Sequence, residues 1–155
     1  MKILDHRIGK EYPMPAYATP GAAAFDLVAC LPPDADTALL YSDDLDVPGG
    51  SRSLIGTGIA VEIPVGYVGI LSIRSSIGAK LGVSMANCIG IIDSDYRGEV
   101  KVCIENHSGR AAIIHSGERI AQLTIVPVLT PEIQIVDELS DTTRGTGGFG
   151  STGKN

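Results

Sequence analysis

Apolar side chains recur at every second position in several short runs of this chain, and glycine, proline or serine closes each run. Around residue 102 the alternation is plain: Val100, Val102 and Ile104 would share one side of an extended chain, with Lys101, Cys103 and Glu105 on the other. Residues 54–63, 65–73, 119–128 and 132–136 follow the same rule and are predicted as strands. Only residues 76–81 suit a helix, with a serine available to cap its first free N–H groups. Many short strands between turns predict an all-β domain over residues 1–140, a jelly-roll-like β-barrel with a short helix as its one exception. After Ser140 the apolar pattern stops. Residues 141–155 therefore read as a glycine-rich tail, expected to be flexible from Thr143 onward until a ligand binds it.

Composition narrows the class. A chain of 155 residues, 44% of them hydrophobic, can bury one core and not two. Its formal net charge of −6 argues against a nonspecific nucleic-acid binder, which needs a basic face to displace counterions. No apolar run approaches the roughly 18 residues of a membrane span, and residues 1–10 lack the apolar core of a signal peptide. No nucleic-acid or membrane partner is expected, and the expected compartment is the cytosol. Cys30, Cys88 and Cys103 are widely spaced, with no histidine at a metal-ligand interval, and are predicted to be free thiols packed as small apolar groups. Residues 34–51 carry Asp34, Asp36, Asp43, Asp44 and Asp46 ahead of Pro48-Gly49-Gly50, which predicts an irregular, solvated loop.

Two segments carry candidate chemistry. Residues 90–99 read GIIDSDYRGE, an apolar approach followed by Asp93, Asp95, an aromatic ring and Gly98, as in a hairpin with polar groups near its tip. Spacing alone leaves two readings: an Asx-type turn in which both carboxylates accept local N–H bonds, or a catalytic carboxylate. Residues 144–150 read RGTGGFG. Glycines there would let backbone N–H groups approach anionic oxygens, Arg144 could fork onto a phosphate, and Phe149 could stack on a base; a plain linker is the alternative.

Taken in order, five blocks resemble those of the trimeric dUTPase family (deoxyuridine 5'-triphosphate nucleotidohydrolase). They are residues 18–27 (ATPGAAAFDL), 74–78 (RSSIG), 87–98 (NCIGIIDSDYRG), 117–123 (GERIAQL) and 144–150, and they span nearly the whole chain. The resemblance implies Mg²⁺-dependent hydrolysis of dUTP to dUMP and pyrophosphate by water attack on the α-phosphorus. It also implies a homotrimer whose sites are shared between subunits. By position, Asp93 would be the general base for the attacking water. Asn87 and the backbone of Gly90, Ile91, Ile92 and Asp93 would pair with uracil, and the Tyr96 ring would pack on deoxyribose where a 2′-hydroxyl would collide. Arg74, Ser75, Ser76 and Gln122 would hold phosphates, with Lys101 as a further contact or a solvated lysine. Asp26 would reach the metal through a water, or else be a strand-end carboxylate making local bonds. Arg144, Gly148, Phe149, Gly150 and Ser151 would close over the bound nucleotide.

Three positions depart from the family's usual pattern: Ala24 and Ser76 where glycine is common, and Ile73 where proline is common. Each leaves the polar groups in place and touches only loop geometry. Two rivals remain. The dCTP deaminases share the fold, but they carry a glutamate at the position that aligns with Cys103, and a thiol cannot replace it. A regulatory protein that keeps the fold and binds a protein partner is the other, and the set Asp93, Tyr96, Gln122, Arg144 and Phe149 argues for catalysis instead.

Overall fold

The computed structural model describes residues 1–32 and 44–148. Its elements in chain order are β1 (Lys2–Ile3), β2 (Phe25–Val28), β3 (Asp44–Val47), β4 (Arg52–Ala60), β5 (Tyr67–Ile73), α1 (Ser75–Leu81), β6 (Val83–Met85), β7 (Gly90–Ile92), β8 (Glu99–Asn106), β9 (Ala112–His115) and β10 (Arg119–Pro127). One sheet has the order β1-β4-β8-β6, a second β2-β10-β5-β7, and β3 with β9 forms a two-stranded ribbon. Every pairing between these strands is antiparallel. This is the jelly-roll-like all-β architecture that the alternating pattern predicts, with one short helix.

The predicted face of β8 is the centre of the core: Val100, Val102 and Ile104 are each 0% exposed. They meet Leu27, Leu71 and Leu123 of the second sheet, whose register puts Leu123 opposite Leu71 and one strand further on Leu71 opposite Gly90. Burial at about 25 cal/mol per Å² of apolar surface makes this inner layer the main stabilising term. Among the described residues the two buried polar side chains are both satisfied. Thr57 Oγ1 donates to the Val100 carbonyl (2.6 Å), and Asn106 Nδ2 donates to the carbonyls of Val47 (2.8 Å) and Arg110 (2.7 Å).

Several expectations are corrected. Residues 132–136 form no strand: Ile133 and Ile135 are 90% and 98% exposed, because no neighbouring strand offers a ladder to that run. The end of the acidic stretch is a strand rather than an irregular loop, since Asp44–Val47 pairs with Ala112–His115 and buries Val47. Residues 33–43 lie outside the described residues. The helix begins at Ser75, with Arg74 as its N-cap and no side-chain cap from a serine; Gly82 ends it in the left-handed conformation at φ 68°. The three cysteines are free but unlike one another: Cys30 is buried, Cys103 half-buried and Cys88 exposed. Burial pushes the Cys30 thiol up to about 12, so it remains protonated and unreactive.

The predicted hairpin over residues 90–99 is also replaced. β7 pairs with β5 and β8 pairs with β4 and β6, so the segment between them crosses from one sheet to the other. A crossing loop has no ladder of its own, and side-chain bonds hold it instead. Arg97 Nη1 donates to the carbonyls of Ser94 (2.8 Å) and Tyr96 (3.0 Å), and its Nη2 reaches Glu62 (3.2 Å).

Candidate functional site

The crossing loop forms one wall of an open pocket of about 190 Å³ lined by Ile91, Ile92, Asp93, Tyr96, Glu99 and Lys101. β7 supplies the two isoleucines, the loop supplies Asp93 and Tyr96, and the outward face of β8 supplies Glu99 and Lys101. Tyr96 is tied by its hydroxyl and rests against the main chain. Its hydroxyl donates to the Glu99 carbonyl (2.9 Å), and its ring lies over Gly98 so closely that an added Cβ there would stand 2.5 Å from Cζ. Among the described residues neither the Asp93 nor the Asp95 carboxylate accepts a hydrogen bond, so the Asx-turn reading fails. Asp93 is exposed at the pocket, free to hold a water. Asn87 is exposed on the turn between β6 and β7, where the Ile89 N–H donates to its carbonyl (2.7 Å).

A second group of candidate residues sits elsewhere on the chain. On the outward face of the second sheet Gln122 stands between Asp26 of β2 and Ser72 of β5. Asp26 is held by two guanidiniums: Arg74 Nε approaches Oδ1 at 3.1 Å and Arg119 Nη1 approaches Oδ2 at 3.2 Å. Both partners lie outside β2, so the alternative of a strand-end carboxylate making only local bonds does not hold. Two cations around one anion leave a local positive excess, suited to an added phosphate. Ser75 and Ser76 open α1 directly beside Arg74. Among the described residues no hydrogen bond or ion pair joins this group to the Asp93 pocket. Asp26 and Ile91 are separated by three strand steps, roughly 14 Å at ordinary strand spacing.

In the tail, Arg144 is exposed, and its carbonyl accepts the Gly147 N–H (3.2 Å) within a turn. Neither Arg144 nor Gly148 is among the pocket-lining residues. Phe149, Gly150 and Ser151 lie outside the described residues. Two residues that the sequence did not single out join the candidate groups: Arg119, which shares Asp26 with Arg74, and Glu99, which lines the pocket. The alternation of β8 was the available signal for Glu99, since residues 99 and 101 must face the same way.

An open pocket with an unengaged carboxylate and an aromatic ring, together with a separate cluster of two arginines on the same jelly roll, suits a protein that handles a small anionic ligand with a ring to pack. Comparison with known proteins narrows this class. The family model described as dUTPase matches residues 10–153. A deoxyuridine 5'-triphosphate nucleotidohydrolase of Hahella chejuensis is 45% identical over 154 residues, covering 99% of this chain and 95% of its own. One from Idiomarina loihiensis is also 45% identical, covering 99% and 96%. Among solved structures, a dUTPase variant of Staphylococcus bacteriophage 80alpha with dUpNHpp superposes with a TM-score of 0.79 at 28% identity, covering 98% of this chain and 96% of that one. The dUTPase of Streptococcus mutans gives 0.66 at 26% identity, covering 79% and 94%. This chain belongs to the dUTPase family.

Proposed function

We infer that this protein is a dUTP diphosphatase, hydrolysing dUTP to dUMP and pyrophosphate. The observation that carries the reading beyond family membership is the pocket in which Asp93, with no internal partner among the described residues, faces a ring held over Gly98. Asp93 takes a proton from the water that attacks the α-phosphorus; the bond to the bridging oxygen breaks and pyrophosphate leaves. Tyr96 packs on deoxyribose, and the backbone from Gly90 to Asp93 with Asn87 reads uracil. Arg74, Ser75, Ser76 and Gln122 orient the phosphates, with Lys101 at the pocket mouth. The glycine-rich tail, with Arg144, Gly148, Phe149, Gly150 and Ser151, closes over the nucleotide and excludes water.

The donor set fits Mg²⁺ held mainly by phosphates and water. No group of three or more His, Cys, Asp or Glu side chains gathers among the described residues. Each Asp26 oxygen carries one guanidinium contact and keeps acceptor capacity for a metal-bound water. When bound, the ion supplies charge neutralisation on the phosphates.

The homotrimer is proposed on two features. The two groups of site residues lie apart on one chain, so a neighbour's group can complete each pocket. Large apolar surface is also uncovered: Leu129, Ile133, Ile135 and Leu139 are 88–98% exposed, and Ile91 on the outer sheet face is 54% exposed. No described helix is long and apolar enough to cross a membrane. The three free thiols suit a reducing cytosol. Pyrophosphate release from dUTP, measured beside ammonia release from dCTP, tests the activity. Ammonia without pyrophosphate would make the protein a deaminase, and neither product would leave the binding role.

A further inference from the structure

The side chain of Glu99 has a fixed place that the reaction does not require. β4 is irregular between Gly56 and Ala60, where Gly58 adopts φ +66° and its N–H turns out of the ladder. Glu99 Oε1 accepts that N–H at 2.9 Å, while Oε2 lies 3.7 Å from Lys101 Nζ on the same face of β8. The carboxylate rests directly on Gly56, where an added Cβ would stand 2.6 Å from Oε1. The main chain of the same residue accepts the Tyr96 hydroxyl. A continuous connection thus runs from the irregularity in β4, through Glu99, to the ring at the pocket.

We propose that Glu99 is a positioning residue for sugar selection: its carboxylate, fastened to the Gly58 N–H, fixes the carbonyl that holds the Tyr96 hydroxyl and so the face against which the sugar packs. The inference rests on the reading that Tyr96 packs on deoxyribose. A ring excludes a 2′-hydroxyl only if it cannot retreat, and Tyr96 is 43% exposed with Gly98 beneath it, so packing alone does not stop it from swinging outward. The hydrogen bond to Glu99 resists that swing. Without the anchor at Gly58, the start of β8 gains freedom, and the carbonyl and ring move together.

The test compares kcat/KM for dUTP and for UTP in the full-length protein. Glu99→Ala is expected to narrow the preference for dUTP by about 2- to 10-fold, the factor expected for one net hydrogen bond, chiefly through KM. Glu99→Gln, whose amide oxygen still accepts from Gly58, is expected to restore it. A merely structural role would lower the thermal midpoint and leave the preference unchanged. Tyr96→Ala separates the two levels of the argument. If it narrows the preference while Glu99→Ala does not, the positioning role is overturned and the pocket reading stands. If Tyr96→Ala leaves the preference intact, the sugar assignment itself fails and the inference fails with it. Should Glu99→Ala not fold, Gly56→Ala pushes the carboxylate off Gly58 without removing a charge, and an unchanged preference there overturns the proposal equally.

Discussion

Replacing Gly98 with alanine isolates the placement of the Tyr96 ring from the stability of the fold. Gly98 has no positive φ, so alanine meets no backbone penalty, but its Cβ would lie 2.5 Å from Tyr96 Cζ and 2.9 Å from Cε2. Ordinary carbon contacts begin near 3.5 Å, so the ring must retreat by about 1 Å. It can do so, because Tyr96 is half-exposed and only its hydroxyl is tied down. Stability should barely change: losing an exposed hydrogen bond costs about 0.5–1.5 kcal/mol, and removing a glycine from the unfolded chain returns about 0.4–1 kcal/mol. Activity should change far more, since a misplacement of about 1 Å at a reacting site costs on the order of 100-fold. The expected result is a thermal midpoint within a few degrees of wild type and a kcat/KM for dUTP reduced about 100-fold, read by pyrophosphate release. A variant that keeps kcat/KM within threefold would show that the ring's position does not matter and would remove Tyr96 from the sugar site.

Asp93→Asn is expected to lower kcat by at least about 100-fold while dUTP still binds, whereas Asp95→Asn has the smaller effect; single-turnover hydrolysis beside calorimetric binding checks both. The Arg7 guanidinium, bonded to the Asp5 carboxylate at 2.6 Å, holds that carboxyl down at about 2. Its stabilising contribution is therefore complete above the ordinary aspartate value of about 3.9 and is lost as pH falls through about 2. In Asp5→Asn that part of the acid limb should disappear from unfolding curves taken between pH 5 and pH 2; an unchanged limb would contradict the pairing. If the proposed trimer uses this apolar surface, changing Ile133 and Ile135 together to aspartate should leave the barrel folded but abolish assembly and activity, measured by light scattering and turnover. Retention of a fully active trimer would place those isoleucines outside the assembly.

The strands with strict alternation were legible because their side chains choose a face by local period alone. Val100, Val102 and Ile104 went inward together, and the fold class followed from several such runs between turns. The same local rule misplaced residues 132–136, whose alternation is real, because a strand also needs a partner and no strand among the described residues pairs with that run. The strand at the end of the acidic stretch was invisible for the converse reason: Asp44–Val47 is a strand because Ala112–His115, far along the chain, pairs with it. For the candidate site, the residue types and their order singled out Asp93, Tyr96 and Arg74, since the chemistry depends on which groups are present. Their arrangement did not follow. That residues 90–99 cross between sheets, that Asp26 binds two arginines, and that Glu99 reaches back to Gly58 all depend on contacts between residues remote in sequence. Local periodicity carries the direction of each side chain. Which strand lies next to which is set by burial of the whole core, and only the tertiary structure records it.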